Sequence, residues 1–192
     1  WLFKLSADRD TAVLALPSRL WLLDLRNHTQ SLLESLQGVH AVAIGPKDTS
    51  VTQPIAAATS SSIAIYGRGE TRYLAIPAPI LTLEFRSQGL VAITTEGEVL
   101  EYRGPNFEPH SMGHACCDKI ARDACIAPSG DEVLVTCASP CDRAWERFSL
   151  IGEPAHHLGG HASDGPSVSW SPAEDRFQTT SATGALLIWD SQ

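Results

Sequence analysis

The sequence predicts an all-β chain of short antiparallel strands grouped into five repeated units, and three observations predict it. An apolar strand end followed at once by a tight-turn cluster recurs five times. A large apolar residue closing a later strand recurs in step with it. The runs between are short, partly β-branched or aromatic, and bounded by Ser, Thr and Gly, which is the composition of strands joined by turns.

The first landmark falls at Leu5 before Ser6-Ala7-Asp8, Ile44 before Gly45-Pro46-Lys47-Asp48, Phe85 before Arg86-Ser87-Gln88-Gly89, Ile126 before Ala127-Pro128-Ser129-Gly130-Asp131, and Trp170 before Ser171-Pro172-Ala173-Glu174-Asp175. These anchors lie 39, 41, 41 and 44 residues apart. The closing residues are Leu23, Tyr66, Tyr102, Phe148 and Trp189, which follow their anchors by 18, 22, 17, 22 and 19 residues. Two landmarks in one register define a repeat, with units over residues 1–37, 38–77, 78–112, 113–159 and 160–192. The last unit stops before a fourth strand.

Runs such as Ile63-Ala64-Ile65-Tyr66 and Leu186-Leu187-Ile188-Trp189 are apolar on both faces, as a sheet stacked between two others requires. Helix is hard to place. Ser31 to Leu36 has helical apolar spacing but covers under two turns, so a fourth strand of the first unit competes with it. Ala115 to Ala124 is compatible with a short helix inside a loop.

A unit of about 40 residues with four short strands cannot bury both faces of its sheet alone, so the units must stack. The period matches the roughly 40 to 45 residues of a propeller blade and exceeds the 20 to 29 of a leucine-rich repeat. The expected fold is therefore a β-propeller of four-stranded antiparallel blades, with about five blades present. Because the fifth unit lacks its outer strand, the chain is expected to be part of a larger, seven-bladed propeller, or to receive a strand from another chain. An open sheet edge at one end and an uncovered blade face at the other are also expected.

At the last unit Gly160-His161, Val168-Ser169-Trp170-Ser171-Pro172 and Thr180-Ser181-Ala182-Thr183-Gly184-Ala185-Leu186-Leu187-Ile188-Trp189-Asp190 resemble a WD-repeat, from its opening Gly-His to its closing Trp-Asp. The resemblance implies a hydrogen-bond chain from the His through a strand Ser/Thr and a turn Asp to the Trp indole. The matching positions are His161, Ser181, Thr183 and Trp189, with Thr183 where the family has Asp, which weakens the chain. Other units match in part: Gly113-His114 opens the fourth, Gly38-Val39-His40 imitates the pair in the second, and Thr94, Glu96 and Tyr102 take the Ser/Thr, Asp and Trp places of the third. A regulator-of-chromosome-condensation-type propeller is ranked lower. Leu90 to Val99 resembles its strand pair, but its longer repeats and Gly-Gln-Leu-Gly-like ends are missing.

The 192 residues are 43% apolar and 19% charged, an ordinary globular composition. A net charge of -8 argues against a phosphate-tracking surface and so against nucleic acid. No apolar run approaches the roughly 18 residues needed to cross a bilayer, so no membrane partner is expected. Five cysteines, all between Cys116 and Cys141, make a poor disulfide framework, and an intracellular location, cytoplasmic or nuclear, is expected. Asn27-His28-Thr29 is a glycosylation sequon by pattern, which carries meaning only in a secreted chain.

Thiolate and imidazole are zinc ligands, and His110, His114, Cys116, Cys117, Cys125, Cys137, Cys141, His156, His157 and His161 form the densest such group. It contains no Cys-x-x-Cys, so buried Cys acting as small hydrophobes is the favoured reading, with no metal and no cofactor. Gly67-Arg68-Gly69-Glu70-Thr71-Arg72 lacks the third glycine and the following helix of a dinucleotide loop and reads as a turn. No catalytic motif is present, and the inner-strand positions read as Ala, Ser, Thr and Val. Carboxylates cluster in turns; Asp131, Glu132, Glu174 and Asp175 are candidate loop tips for a basic partner segment.

The function expected is a non-catalytic protein-protein interaction scaffold, a WD-repeat subunit of a larger complex with protein or peptide partners. The alternatives are an enzyme-type propeller, quinoprotein or glycosidase-like, and a ubiquitin-ligase substrate receptor. The latter rests on Leu23-Asp24-Leu25-Arg26, which resembles the Trp-Asp-x-Arg box that docks some WD-repeat proteins onto a cullin-ligase adaptor.

Overall fold

The computed structural model describes residues 1–47, 53–67, 70–86, 89–116, 120–138, 145–150, 156–158, 167–171, 173, 175–181 and 183–191. Of these, 145, 146 and 156–158 are described by their backbone alone. The first blade comprises β1 (Leu2–Leu5), β2 (Thr11–Leu16), β3 (Arg19–Asp24) and β4 (Thr29–Glu34). The second holds β5 (Ala41–Ile44), β6 (Ile55–Ala58), β7 (Ser62–Tyr66) and β8 (Arg72–Ala75), and the third β9 (Ile80–Arg86), β10 (Gly89–Thr94), β11 (Glu98–Arg103) and β12 (Glu108–His114). The fourth holds β13 (Ala121–Ile126), β14 (Glu132–Cys137), β15 (Trp145–Ser149) and β16 (His156–Leu158), and the fifth β17 (Ser167–Trp170), β18 (Arg176–Thr180) and β19 (Leu186–Asp190). Each sheet is an antiparallel meander in chain order, and the first strand of each blade lies against the first strand of the next. These are five blades of a β-propeller.

The two sequence landmarks share a register because they occupy one row across each sheet. Leu5 pairs with Ala12 and Ala12 with Leu23; the equivalent rows are Ile44–Ile55–Tyr66, Phe85–Leu90–Tyr102, Ile126–Val133–Phe148 and Trp170–Phe177–Trp189. Paired residues project from the same face of a sheet, so the rows of the second to fifth blades each supply one large apolar band to the seam with the preceding blade, while the row of the first blade lies on the face turned away from the second.

Strand alternation feeds both seams of the second blade. Val42, Ile44, Ile55, Ala57, Ala64 and Tyr66 pack with Val13, Ala15 and Leu20 of the first blade, whereas Ala41, Ala43, Ala56, Ala58, Ile63 and Ile65 pack with Leu83, Leu90 and Tyr102 of the third. Small alanines let neighbouring sheets approach closely without voids.

All strands turn at two ends. At the turn end, the residue after the third strand bonds to the residue before the second: Leu25 N to Asp10 O, Leu150 N to Asp131 O and Ser191 N to Asp175 O. At the linker end, the segments joining blades bond to hairpin tips, as in Gly38 N to Pro17 O and Ala115 N to Gly97 O. Gly97 is needed there, since its φ is +83° and a Cβ would stand 2.1 Å from the Ala115 carbonyl oxygen.

Of the two readings of Ser31 to Leu36 the structure takes the strand, with Ser31–Glu34 paired to β3 through Leu20–Leu22. Two expectations differ from the structure. Residues 121–124 are strand rather than helix, because β13 pairs with β14. Gly113-His114 ends the outer strand of the third blade instead of opening the fourth; a bulge at Val99/Leu100 extends β11 to pair with both residues.

Candidate interaction surface

The polar chain implied by the WD resemblance is built differently. Trp189 Nε1 donates to Thr179 Oγ1 at 2.8 Å, two residues before the expected Ser181. Ser181 and Thr183 share a hydroxyl hydrogen bond of 2.8 Å, and Ser181 Oγ accepts from Ala185 N at 3.0 Å, so that pair builds the β18–β19 turn. The cause is strand parity. Trp189 pairs with Phe177 and Thr179 with Leu187, which places the Thr179 hydroxyl on the indole's face and one diagonal step away. Stacking of Phe177 on Trp189, with ring centroids 5.9 Å apart, holds the indole in place. His161 lies outside the described residues. In the third blade Thr94 Oγ1 accepts from Glu98 N instead of meeting Tyr102, whose buried hydroxyl has no partner among the described residues.

The acidic turns are largely tied into the fold. Asp131 accepts from Arg86 Nη2 of the third blade at 2.8 Å, and the same guanidinium lies 3.7 Å from the buried Glu101 carboxylate. Arg103 also donates to Glu101, through Nε at 2.6 Å. Glu132, the first residue of β14, accepts from Arg147 Nη2 at 2.6 Å, and Arg147 Nη1 continues to the Ser191 carbonyl at 3.0 Å. Asp175 accepts from Ser171 Oγ at 2.7 Å. Asp131 and Glu132 thus join blades three to five through charge rather than standing as free loop tips. Glu174 lies outside the described residues. Asp24 caps its own turn, accepting from Asn27 N at 2.8 Å and Asn27 Nδ2 at 2.9 Å, bonds that hold its carboxyl below the usual carboxylate range.

The innermost strands are more polar than the sequence suggested. Lys4 on β1 reaches past the second blade to Glu84 on β9, Nζ to Oε2 2.5 Å. Asp123 on β13 accepts from Val168 N on β17 at 3.0 Å and receives Ala124 N at 2.9 Å. The register of the repeat could have indicated Glu84 and Asp123 as inner-strand residues; their partners, 80 and 45 residues away, it could not. Cys125 on the same strand is a free thiol that burial pushes up to about 12. Cys116 and Cys137, expected as small hydrophobes, form a disulfide with Cα atoms 5.5 Å apart, while Cys117 and Cys141 lie outside the described residues. Among the described residues no group of three or more His, Cys, Asp or Glu is placed to hold a metal ion, and no helix is long and apolar enough to cross a membrane.

The outer face of the first blade carries an exposed apolar row. Cross-strand pairing aligns Phe3, Leu14, Trp21 and Leu32 in one row across its four strands. Val13, Ala15 and Leu20 on the opposite face are buried against the second blade, but Phe3 is 61% exposed and Leu32 47%. Trp1 and Leu5 extend the exposed patch. At the other end of the arc, Leu186 and Ile188 are exposed on the uncovered face of the fifth blade, alongside Arg176 and Gln178.

No protein-family model matches the chain, and no curated protein matches it in sequence. Solved structures do match. The chain is similar to Kuenenia stuttgartiensis hydrazine synthase with a TM-score of 0.76 and 10% identity, over 99% of this chain and 62% of that one. It is also similar to the β-propeller domain of Myceliophteria thermophila Cps50 (Swd1), with a TM-score of 0.70 and 8% identity over 93% of this chain and 61% of that one. At such identities the likeness is one of fold: the chain is a β-propeller. It spans less than two thirds of either neighbour. That the two carry unlike names illustrates how little the fold alone says about activity.

Proposed function

We propose that the chain is a non-catalytic protein-interaction scaffold, a divergent WD-repeat-type subunit of a larger assembly, and that the exposed face of its first blade is covered by protein, either a further blade or a separate partner. The row Phe3–Leu14–Trp21–Leu32 carries this reading. A blade in the middle of the arc buries both faces, and the first blade has the composition of such a blade with a neighbour on one side only. A contiguous apolar sheet face rimmed by polar side chains is the usual mark of a protein contact.

A catalytic propeller finds less support. It needs carboxylates converging on a substrate, whereas Glu84 is held by Lys4 and Asp123 by the Val168 amide. Docking through Leu23-Asp24-Leu25-Arg26 is disfavoured because both Asp24 oxygens are engaged by Asn27.

The test is affinity capture with quantitative mass spectrometry, run in parallel on the wild-type chain and the Phe3→Ser/Leu32→Ser double variant. Both side chains are exposed, so the variant should keep its fold. Specific partners enriched by the wild type and lost by the variant support the proposal; an identical enriched set overturns it.

A further inference from the structure

The disulfide sits in the seam between the third and fourth blades. Cys116 lies in the linker that leaves β12, and Cys137 ends β14 in the fourth blade. Both are buried in the seam with Val91, Ile93, Val99 and Ala121. The linker is pinned on either side of Cys116, by Ala115 N to Gly97 O at 2.8 Å and by Ala121 N to Thr95 O at 2.9 Å, both on the β10–β11 hairpin. Cys116 itself has a φ of +76°, a conformation that a non-glycine residue holds only where its surroundings impose it.

From Cys137 the connection continues to the fifth blade. Cys137 pairs with Ala121, and the register then slips by one residue before Asp123. That slip turns Asp123 N to Thr136 Oγ1 at 2.9 Å and frees its carboxylate to accept from Val168 N at 3.0 Å. The cross-link therefore anchors the start of the strand whose bulge presents Asp123 to blade five.

We propose that Cys116–Cys137 is a redox-responsive latch: closed, it fixes the linker between the third and fourth blades and, through the β13 bulge, the seam to the fifth; open, it releases both. Closure requires a disulfide-form oxidant of the glutathione or protein-dithiol class. One cysteine, as thiolate, attacks the oxidant's disulfide, expelling one thiol and forming a mixed disulfide. The second cysteine then displaces the remaining oxidant thiol, so two protons and two electrons leave the pair and the oxidant departs as two thiols. Cys125 on β13 is a free thiol when the latch is closed.

The test equilibrates the intact chain in oxidised or reduced glutathione, counts thiols by alkylation and mass, maps the linked peptides and follows amide hydrogen exchange. Oxidised protein should alkylate at neither Cys116 nor Cys137 and yield a Cys116–Cys137 linked peptide. On reduction, exchange should speed by about tenfold or more at Ala115, Ala121–Ile126 and Val168, with no change in the second blade. Cys116→Ser/Cys137→Ser should show the reduced pattern in both buffers, and Cys125→Ser should respond like the wild type. Should the double variant not fold, the wild type and Cys125→Ser decide alone. Five free thiols in oxidising buffer, a different pairing, or exchange unaffected by reduction would each overturn the latch.

Discussion

The second and fifth blades are built from the same repeat but held by different means. The second is sandwiched, and every described side chain of β5 and β6 is buried. Its two faces are alanine, isoleucine and valine, with one tyrosine whose hydroxyl bonds Glu34 of the first blade at 2.5 Å. The fifth has a neighbour on one side. Its inner face rests on the fourth blade through Val168, Phe177, Trp170 and Trp189, and polar links complete the seam, Asp123 to Val168 N and Arg147 to Ser191 O, while the Trp189 indole bonds Thr179 within the sheet. The seams of the second blade are mainly apolar packing, whereas the seam between the fourth and fifth adds directed polar contacts that fix its register.

Substitutions should separate the two modes. Ile63→Ala, in the sandwiched blade, should cost about 3 kcal/mol, read as a fall in the urea midpoint at constant slope, whereas Ile188→Ala on the open face of the fifth should cost under about 0.5 kcal/mol. Equal effects would mean that the fifth blade is covered in solution. Glu101→Ala strands Arg86 and the third-to-fourth blade ion network, and a loss of about 2–3 kcal/mol is expected because Glu101 is almost fully buried. Thr179→Val leaves the Trp189 indole without its acceptor and should cost about 1–2 kcal/mol. Ser181→Ala, touching only the turn, should cost less than half of that. The reverse order would restore Ser181 to the place the WD pattern implies. Tyr102→Phe removes a buried hydroxyl that has no partner among the described residues and should be neutral or stabilising by up to about 1 kcal/mol in thermal unfolding.

Much of the architecture was legible because it is periodic. Turn clusters and closing residues recur every 41 residues or so, and they do so because they form one row across each sheet. The site chemistry is not periodic and was legible only in part. Ser181 was singled out by family template, while Thr179 is found by counting strand parity back from Trp189, a step the sequence permits. Arg86–Asp131 and Lys4–Glu84 join residues 45 and 80 apart in different blades, and nothing local marks such partners. Cysteine spacing likewise leaves pairing open, so the link between Cys116 and Cys137 emerges only once β14 is laid beside β13.

The central claim is that the first blade carries a face built to be covered by protein. Hydrogen-exchange mass spectrometry of the chain with a captured partner, compared with the chain alone, tests it most directly. Added protection confined to β1 and β4, and absent when Phe3 and Leu32 are serine, is the expected result. Protection elsewhere, with β1 and β4 exchanging as in the free chain, would contradict it.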